Sequence, residues 1–118
     1  MEIRNPQGKI VISNHAIASI ASRTVTEAYG VVGMASRHLR DGLAEVLHRD
    51  VRNKGVDVRV SAGKITIELY VVVEYGTRIS EVARNIAGNV KFAVERAVGV
   101  PVEQVNVNVQ GLRVSDVT

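Results

Sequence analysis

The chain contains no cysteine and no tryptophan, and aromatic residues make up 3% of its 118 positions. Without cysteine it can form no disulfide, thiolate nucleophile, iron–sulfur cluster or cysteine-ligated zinc site. The shortage of rings leaves few side chains for stacking on bases, sugars or flavins. No apolar run approaches the roughly 20 residues that cross a bilayer, and the first residues do not resemble a signal peptide. We therefore expect a cytoplasmic protein.

Aliphatic residues dominate what is present. The hydrophobic fraction is 46%, carried mainly by Val, Ile, Leu and Ala, which is ample for a core and argues against disorder. A chain of 118 residues matches one domain, so we expect a single domain over 1–118. Its ends, 1–6 and 112–118, are expected to be loose.

The charge is weakly basic, with a net value of +3 and a pI near 9.6. The basic side chains do not form a dense stripe, because acidic residues are interleaved with them over 37–59 and 78–98. Ordinary solvated helix faces explain this pattern better than a dedicated polyanion site.

Hydrophobic spacing predicts three helices. Apolar residues recur at helical spacing over 14–29, over 39–47 and, most clearly, over 79–98. The second helix is expected to end at Asn53 and Gly55, and the third at Gly99 before Pro101. Residues 30–35 are either a short buried strand or an extended connector.

Alternating hydrophobicity predicts strands at 9–13, 56–61, 65–75 and 104–110. A two-residue Ala62-Gly63 loop would place Val60 opposite Ile65 and Val58 opposite Ile67, so that the apolar side chains share one face. A bulged or longer loop is the alternative. The strand–helix–strand unit over 65–110 should make a right-handed crossover with parallel strands. The fold class is therefore α/β (α+β), a two-layer sandwich with helices packed on one face of a mixed β-sheet.

The other face of that sheet has no predicted segment to cover it, so it must contact solvent or a partner. The predicted partner surface is polar and consists of Arg59, Thr66, Glu68, Tyr70, Asn106, Asn108 and Gln110.

A metal-like arrangement occurs once, at helical spacing, in His38, Asp41, Glu45 and His48. These residues lie opposite the apolar stripe of their predicted helix, and the carboxylate–histidine bundle chemistry needs a second such motif on a facing helix. Ion pairing at i and i+4 on a surface helix explains the same residues, so we expect no metal site.

No catalytic or cofactor-binding signature is present. Serine hydrolases need a nucleophile, a base and a motif such as Gly-x-Ser-x-Gly, and nucleotide-binding loops need Gly-x-Gly-x-x-Gly or Gly-Lys-Ser/Thr. His15, at the start of the first helix, is better read as a surface or capping residue. We expect no enzyme activity and no cofactor.

One weak signal points to nucleic acid. Gly30-Val31-Val32-Gly33 has the outline of the Gly-x-x-Gly loop of KH domains, but two valines are unusual where that loop is exposed and basic. A KH-like nucleic-acid-binding domain therefore remains an alternative. Its contacts would come from Arg37, Arg40, Arg49 and Arg52.

The sequence resembles the alkaline shock protein family of small bacterial cytoplasmic proteins. The resemblance rests on Gly8-Lys9-Ile10, residues 28–33, Tyr75-Gly76, residues 79–83, Ile86, Val90, residues 93–95, Gly99 and residues 105–111. It implies a role in cell-envelope homeostasis or envelope stress, through non-enzymatic contacts with membrane proteins, or a place beside enzymes of fatty-acid metabolism. It supplies no catalytic residues.

These observations favour an interaction or scaffold protein that docks on a protein partner, self-associates, or does both. Binding would use the polar sheet face with Tyr70 as an anchor, or backbone pairing at edge strands between copies. A membrane-anchored partner would recruit the protein to the membrane. A regulator of lipid-metabolism enzymes is a further alternative that has no residue signature.

Overall fold

The computed structural model describes residues 1–35 and 55–114. Within these ranges the chain forms six strands and two helices. In chain order they are β1 (Glu2–Asn5), β2 (Gly8–Val11), α1 (Asn14–Thr26), β3 (Val31–Met34), β4 (Val56–Ser61), β5 (Lys64–Glu74), α2 (Ile79–Val98) and β6 (Val102–Arg113).

Strand β5 is the centre of the main sheet. It pairs antiparallel with β4 and β3 along one side and parallel with β6 along the other. The predicted hairpin register is confirmed, because Val60 lies opposite Ile65 and Val58 lies opposite Ile67. The parallel pairing of β5 with β6 across α2 confirms the crossover and the mixed sheet.

Helices α1 and α2 pack on one face of this sheet and on each other. The side chains that α2 buries follow helical spacing at Val82, Ile86, Val90 and Val94. They meet the alternate residues of β5, from Ile65 to Val73, which are fully buried. The predicted two-layer architecture is therefore confirmed.

Strands β3 and β4 continue one another along β5, and they meet at Tyr70. The Ala35 N–H donates to the Tyr70 carbonyl oxygen at 2.8 Å, and the Tyr70 N–H donates to the Gly55 carbonyl oxygen at 2.8 Å. Tyr70 of β5 thus forms hydrogen bonds both with the residue that follows β3 and with the residue that precedes β4. The open question over residues 30–35 is resolved in favour of a strand.

Strands β1 and β2 form a separate two-stranded antiparallel hairpin. It joins the body where Met1 and Ile12 exchange hydrogen bonds and pack against the core. Beyond that point Ile10 is 51% exposed and Val11 is 65% exposed. Residues 2–5, expected to be loose, are therefore a strand, because they pair locally with β2.

Two further expectations concern the remaining segments. The predicted second helix, with its metal-like histidines and carboxylates and its arginines, lies in 36–54, outside the described residues. At the other end, β6 includes residues 112 and 113, which the sequence placed in a loose terminus.

Candidate functional site

The polar side chains of the sheet lie on the face opposite the helices. Along β5, Ile65, Ile67 and Leu69 are fully buried against α1 and α2, whereas the alternating Thr66, Glu68 and Tyr70 are half-buried. This follows from the period of two in a strand, which sends successive side chains to opposite faces. We call this surface the polar face and define it by Arg59, Thr66, Glu68, Tyr70, Asn106 and Asn108.

The register brings these residues together in rows across the sheet. Arg59 lies opposite Thr66 across β4 and β5. On the other side of β5, Glu68 pairs with Asn106 and Tyr70 pairs with Asn108. All members of the predicted surface except Gln110 are therefore neighbours.

Glu68 is the centre of a hydrogen-bond network on the polar face. The Asn106 side-chain amide donates to Glu68 Oε2, and the Asn108 amide donates to Glu68 Oε1 at 3.1 Å. Asn108 also donates to the Leu69 carbonyl oxygen at 3.0 Å. Amide donors to a carboxylate form charge-assisted bonds, which fix both asparagines and the glutamate in one arrangement.

Asp57 belongs to the same surface and was missed among the sequence candidates. It is the Cα partner of Glu68 on β4, so two carboxylates occupy neighbouring positions. Arg59 Nε lies 3.8 Å from Asp57 Oδ2, which offsets part of their mutual repulsion. The signal was available, because Asp57 alternates with Val56 and Val58 in the same way as Arg59.

Gln110 departs from the predicted row. The pairing of β5 with β6 shifts between Val71 and Val72, so that Val109 pairs with Val71 and Gly111 pairs with Val72. Gln110 is the extra residue of this bulge and has no partner on β5. Gly111 occupies the position that uninterrupted alternation assigned to Gln110.

The other sequence candidates do not join the polar face. His15 lies in the first turn of α1 and is exposed. Val31 pairs with Val73 and Gly33 pairs with Val72, so residues 31–33 of the Gly30-Val31-Val32-Gly33 segment belong to β3 and do not form a loop between two helices. The KH-like interpretation of this segment is therefore wrong, because it requires a loop between two helices.

The polar face is suited to hydrogen bonding. It offers amides, a hydroxyl, a phenol and a guanidinium beside a carboxylate that the amides already bind. Across 1–35 and 55–114, no three His, Cys, Asp or Glu residues are grouped as a metal site would require. Among the helices described, none is long and apolar enough to cross a membrane.

Comparison with protein families identifies one match over nearly the whole chain. The alkaline shock protein 23 family, described as having a cell envelope-related function, matches residues 2–114. The uncharacterized protein YloU of Bacillus subtilis is 44% identical over 117 residues, covering 98% of both chains. The uncharacterized protein Spy1614 of Streptococcus pyogenes serotype M6 is 37% identical over 115 residues, covering 97% of this chain and 95% of its own length.

Solved structures with a similar fold include those of MamM CTD. A copper form of it has a TM-score of 0.52 and 15% identity, covering 89% of this chain and 92% of its own. A second structure, spanning its residues 215–293, has a TM-score of 0.50 and 15% identity, covering 84% and 99%. At this level of identity the likeness concerns the fold.

Proposed function

This chain belongs to the alkaline shock protein 23 family, and from that premise we propose that it is a non-enzymatic interaction protein of the cell envelope that docks a protein partner on the polar face. One observation carries the proposal: the polar face is pre-ordered by the Glu68 network but lies opposite the layer of helices. In the described part of the chain, α1 and α2 both pack on the other face.

Pre-ordering favours binding because less conformational entropy is lost when the partner docks. The asparagines and Glu68 already hold one another, so a partner meets fixed donors and acceptors. Flexible surface side chains would have to be ordered at a cost of about 0.5–1.5 kcal/mol each.

Tyr70 supplies the anchor. Both of its backbone groups are hydrogen-bonded, the carbonyl oxygen to Ala35 and the N–H to Gly55, so the ring projects from a rigid part of the sheet. Tyrosine combines apolar contact area with a hydroxyl, and it is enriched among residues that dominate binding energies. A partner that buries Tyr70 while hydrogen-bonding to Asn106 and Asn108 would use both features.

The partner would also determine where the protein acts. The described helices offer no membrane span, and the family description refers to the envelope. We propose that a partner anchored in the membrane recruits the protein through the polar face, with no reaction catalysed by this chain.

The test is affinity purification from cells that express the protein, comparing the unaltered chain with a Tyr70→Ala, Arg59→Ala variant. The matched control is Arg23→Ala. Arg23 is also an exposed arginine in a loose ion pair, 3.9 Å from Glu27, but it lies on α1. Circular dichroism would verify that each variant is folded.

We expect an envelope protein to co-purify with the unaltered chain and with Arg23→Ala, and to be reduced at least tenfold with the polar-face variant. Equal recovery with all three would contradict the proposal. Recovery of RNA or DNA at about 50 mM salt, lost steeply as salt rises, would favour the nucleic-acid alternative instead.

A further inference from the structure

Strand β6 offers a long sheet edge. It spans 12 residues and pairs with β5 along one side. Among the strands described at 1–35 and 55–114, none pairs with its other side. Such an edge presents unpaired backbone N–H and C=O groups, which another strand can use for pairing.

At the opposite edge of the sheet, α1 covers part of β4. The Tyr70 N–H donates to the Gly55 carbonyl oxygen, so Gly55 is a hydrogen-bonded position of the antiparallel β4–β5 ladder. Such positions recur at every second residue, at Asp57 and Arg59. The carbonyl of Val58, which lies between them, therefore points away from β5. The Asn14 side-chain amide donates to that carbonyl oxygen at 3.3 Å. A side chain of α1 therefore occupies an outward acceptor of β4.

The β6 edge also retains apolar surface. Ile67, Leu69 and Val71 of β5 are fully buried. Their partners across the parallel ladder, Val105, Val107 and Val109, are half-buried although they face the same helices. A strand added beside β6 would cover these valines.

Two bulges restrict where a new strand can pair. The β5–β6 register shifts between Ile65 and Thr66 and again between Val71 and Val72. Between them, from Gln104 to Val109, β6 is regular and alternates valine with a polar residue. Since bulges disrupt ladders and increase twist, this regular segment is the part available for pairing.

This segment is complementary to itself. If two copies of β6 run antiparallel about Val107, Val105 meets Val109 of the second copy, and Asn106 meets Asn108 of the second copy. Valines then face valines and asparagines face asparagines, as directly opposed residues in an antiparallel ladder must share a face.

We propose that a second copy of this chain binds at the β6 edge by antiparallel pairing of residues 105–109 about Val107. The two main sheets become one sheet, and the two polar faces form a single surface with Asn106 and Asn108 of both copies at its centre. Pairing of five residues from each copy buries less surface than a standard stable interface does. The dimer is therefore weak, and the fraction of chains in it rises with protein concentration.

Cysteine cross-linking tests the pairing directly, since the natural chain contains no cysteine. We expect Val107→Cys to form a disulfide-linked dimer under mild oxidation at least tenfold faster than Val60→Cys. Val60 is the matched control, a half-buried valine on β4 at the opposite edge of the sheet. A mixture of Val105→Cys and Val109→Cys should cross-link between the two variants faster than either does with itself.

Hydrogen exchange on the unaltered chain provides a second measurement. Raising the protein concentration should slow amide exchange several-fold in residues 105–109 and leave β4 unchanged. Exchange independent of concentration, or cross-linking of Val60→Cys as fast as Val107→Cys, would overturn the proposal. Both measurements use purified protein without another partner, so they can fail while docking on the polar face survives, and the reverse.

Discussion

At the scale of single residues, Gly55 shows how one position allows β3 and β4 to meet. Its φ is +87°, and a Cβ built there would lie 2.6 Å from the Ala35 carbonyl oxygen and 2.9 Å from the Tyr70 carbonyl oxygen. The Tyr70 carbonyl oxygen is also the acceptor of the Ala35 N–H at the junction. Glycine is therefore required for two reasons, the left-handed conformation and the close approach of backbone.

A series of glycine-to-alanine changes separates these reasons. Gly63 also has a positive φ, of +76°, but its Cβ would meet nothing within 4 Å, and the same open space surrounds the exposed helical Gly88. We expect Gly88→Ala to stabilise the protein by about 0.5–1 kcal/mol. Gly63→Ala should destabilise it by about 1–3 kcal/mol, and Gly55→Ala by more than Gly63→Ala. Denaturant unfolding measures all three, and an equal loss for Gly55→Ala and Gly63→Ala would show that the clash is unimportant.

Glu95 connects the end of α2 to the start of β6. Its Oε2 accepts the Val102 N–H at 2.8 Å, and Val102 is 2% exposed. Removing the acceptor would leave a buried amide without its partner.

We therefore expect Glu95→Ala to lower the free energy of unfolding by about 1–3 kcal/mol. Glu95→Gln keeps an acceptor oxygen and should lose less. Equal unfolding midpoints for Glu95→Ala and the unaltered chain would show that this bond does not stabilise the connection.

At the scale of elements, the β1–β2 hairpin differs from the rest of the protein. It extends beyond Met1 and Ile12 with Ile10 and Val11 exposed, whereas β5 is covered on both edges and on one face. A two-stranded hairpin is marginally stable by itself in water. Its local stability should therefore be far below that of the main sheet.

Native-state hydrogen exchange can measure that difference. We expect β1 and β2 amides to exchange at least a hundredfold faster than those of β5, since they open without global unfolding. The Ile12 amide, bonded to the Met1 carbonyl at 2.7 Å, should be the slowest at the base of the hairpin. Equal protection in the hairpin and in β5 would mean that contacts beyond Met1 and Ile12 hold it.

The sequence predicts these elements unevenly, for physical reasons. The β4–β5 register follows from alternation, because a slip of one residue would expose Val58 and bury Arg59. Strand β1 is missed because Glu2 and Arg4 are polar and pair with Val11 and Lys9 in a hairpin that buries little. The bulge at Gln110 carries no composition signal and depends on how β6 fits beside β5.

At the scale of the whole molecule, the fold gives the main sheet two chemically different sides. One side holds α1, α2 and the aliphatic core, and the other presents the polar face. Most of that face was predictable, because alternation in β4, β5 and β6 assigns its members. The bonds of Glu68 to Asn106 and Asn108 were not, because they depend on the parallel register between β5 and β6.

In the dimer proposed at β6, each copy would keep its helices and its polar face on opposite sides of the joined sheet. Because the two-fold axis would pass between the two copies of Val107, perpendicular to the sheet, the helices of both copies would lie on one side and both polar faces on the other. A partner could then contact two copies of Tyr70 at once, and bivalent binding strengthens weak single contacts.

The central claim, that the polar face binds another protein, is tested most directly by photo-crosslinking in cells. A photoreactive phenylalanine would replace Tyr70 in one strain and Tyr29 in another. Tyr29 is 87% exposed and lies between α1 and β3, outside the polar face. We predict a covalent adduct with an envelope protein from position 70 and none from position 29. Adducts of equal yield from both positions, or none from position 70 in a folded protein, would contradict the account.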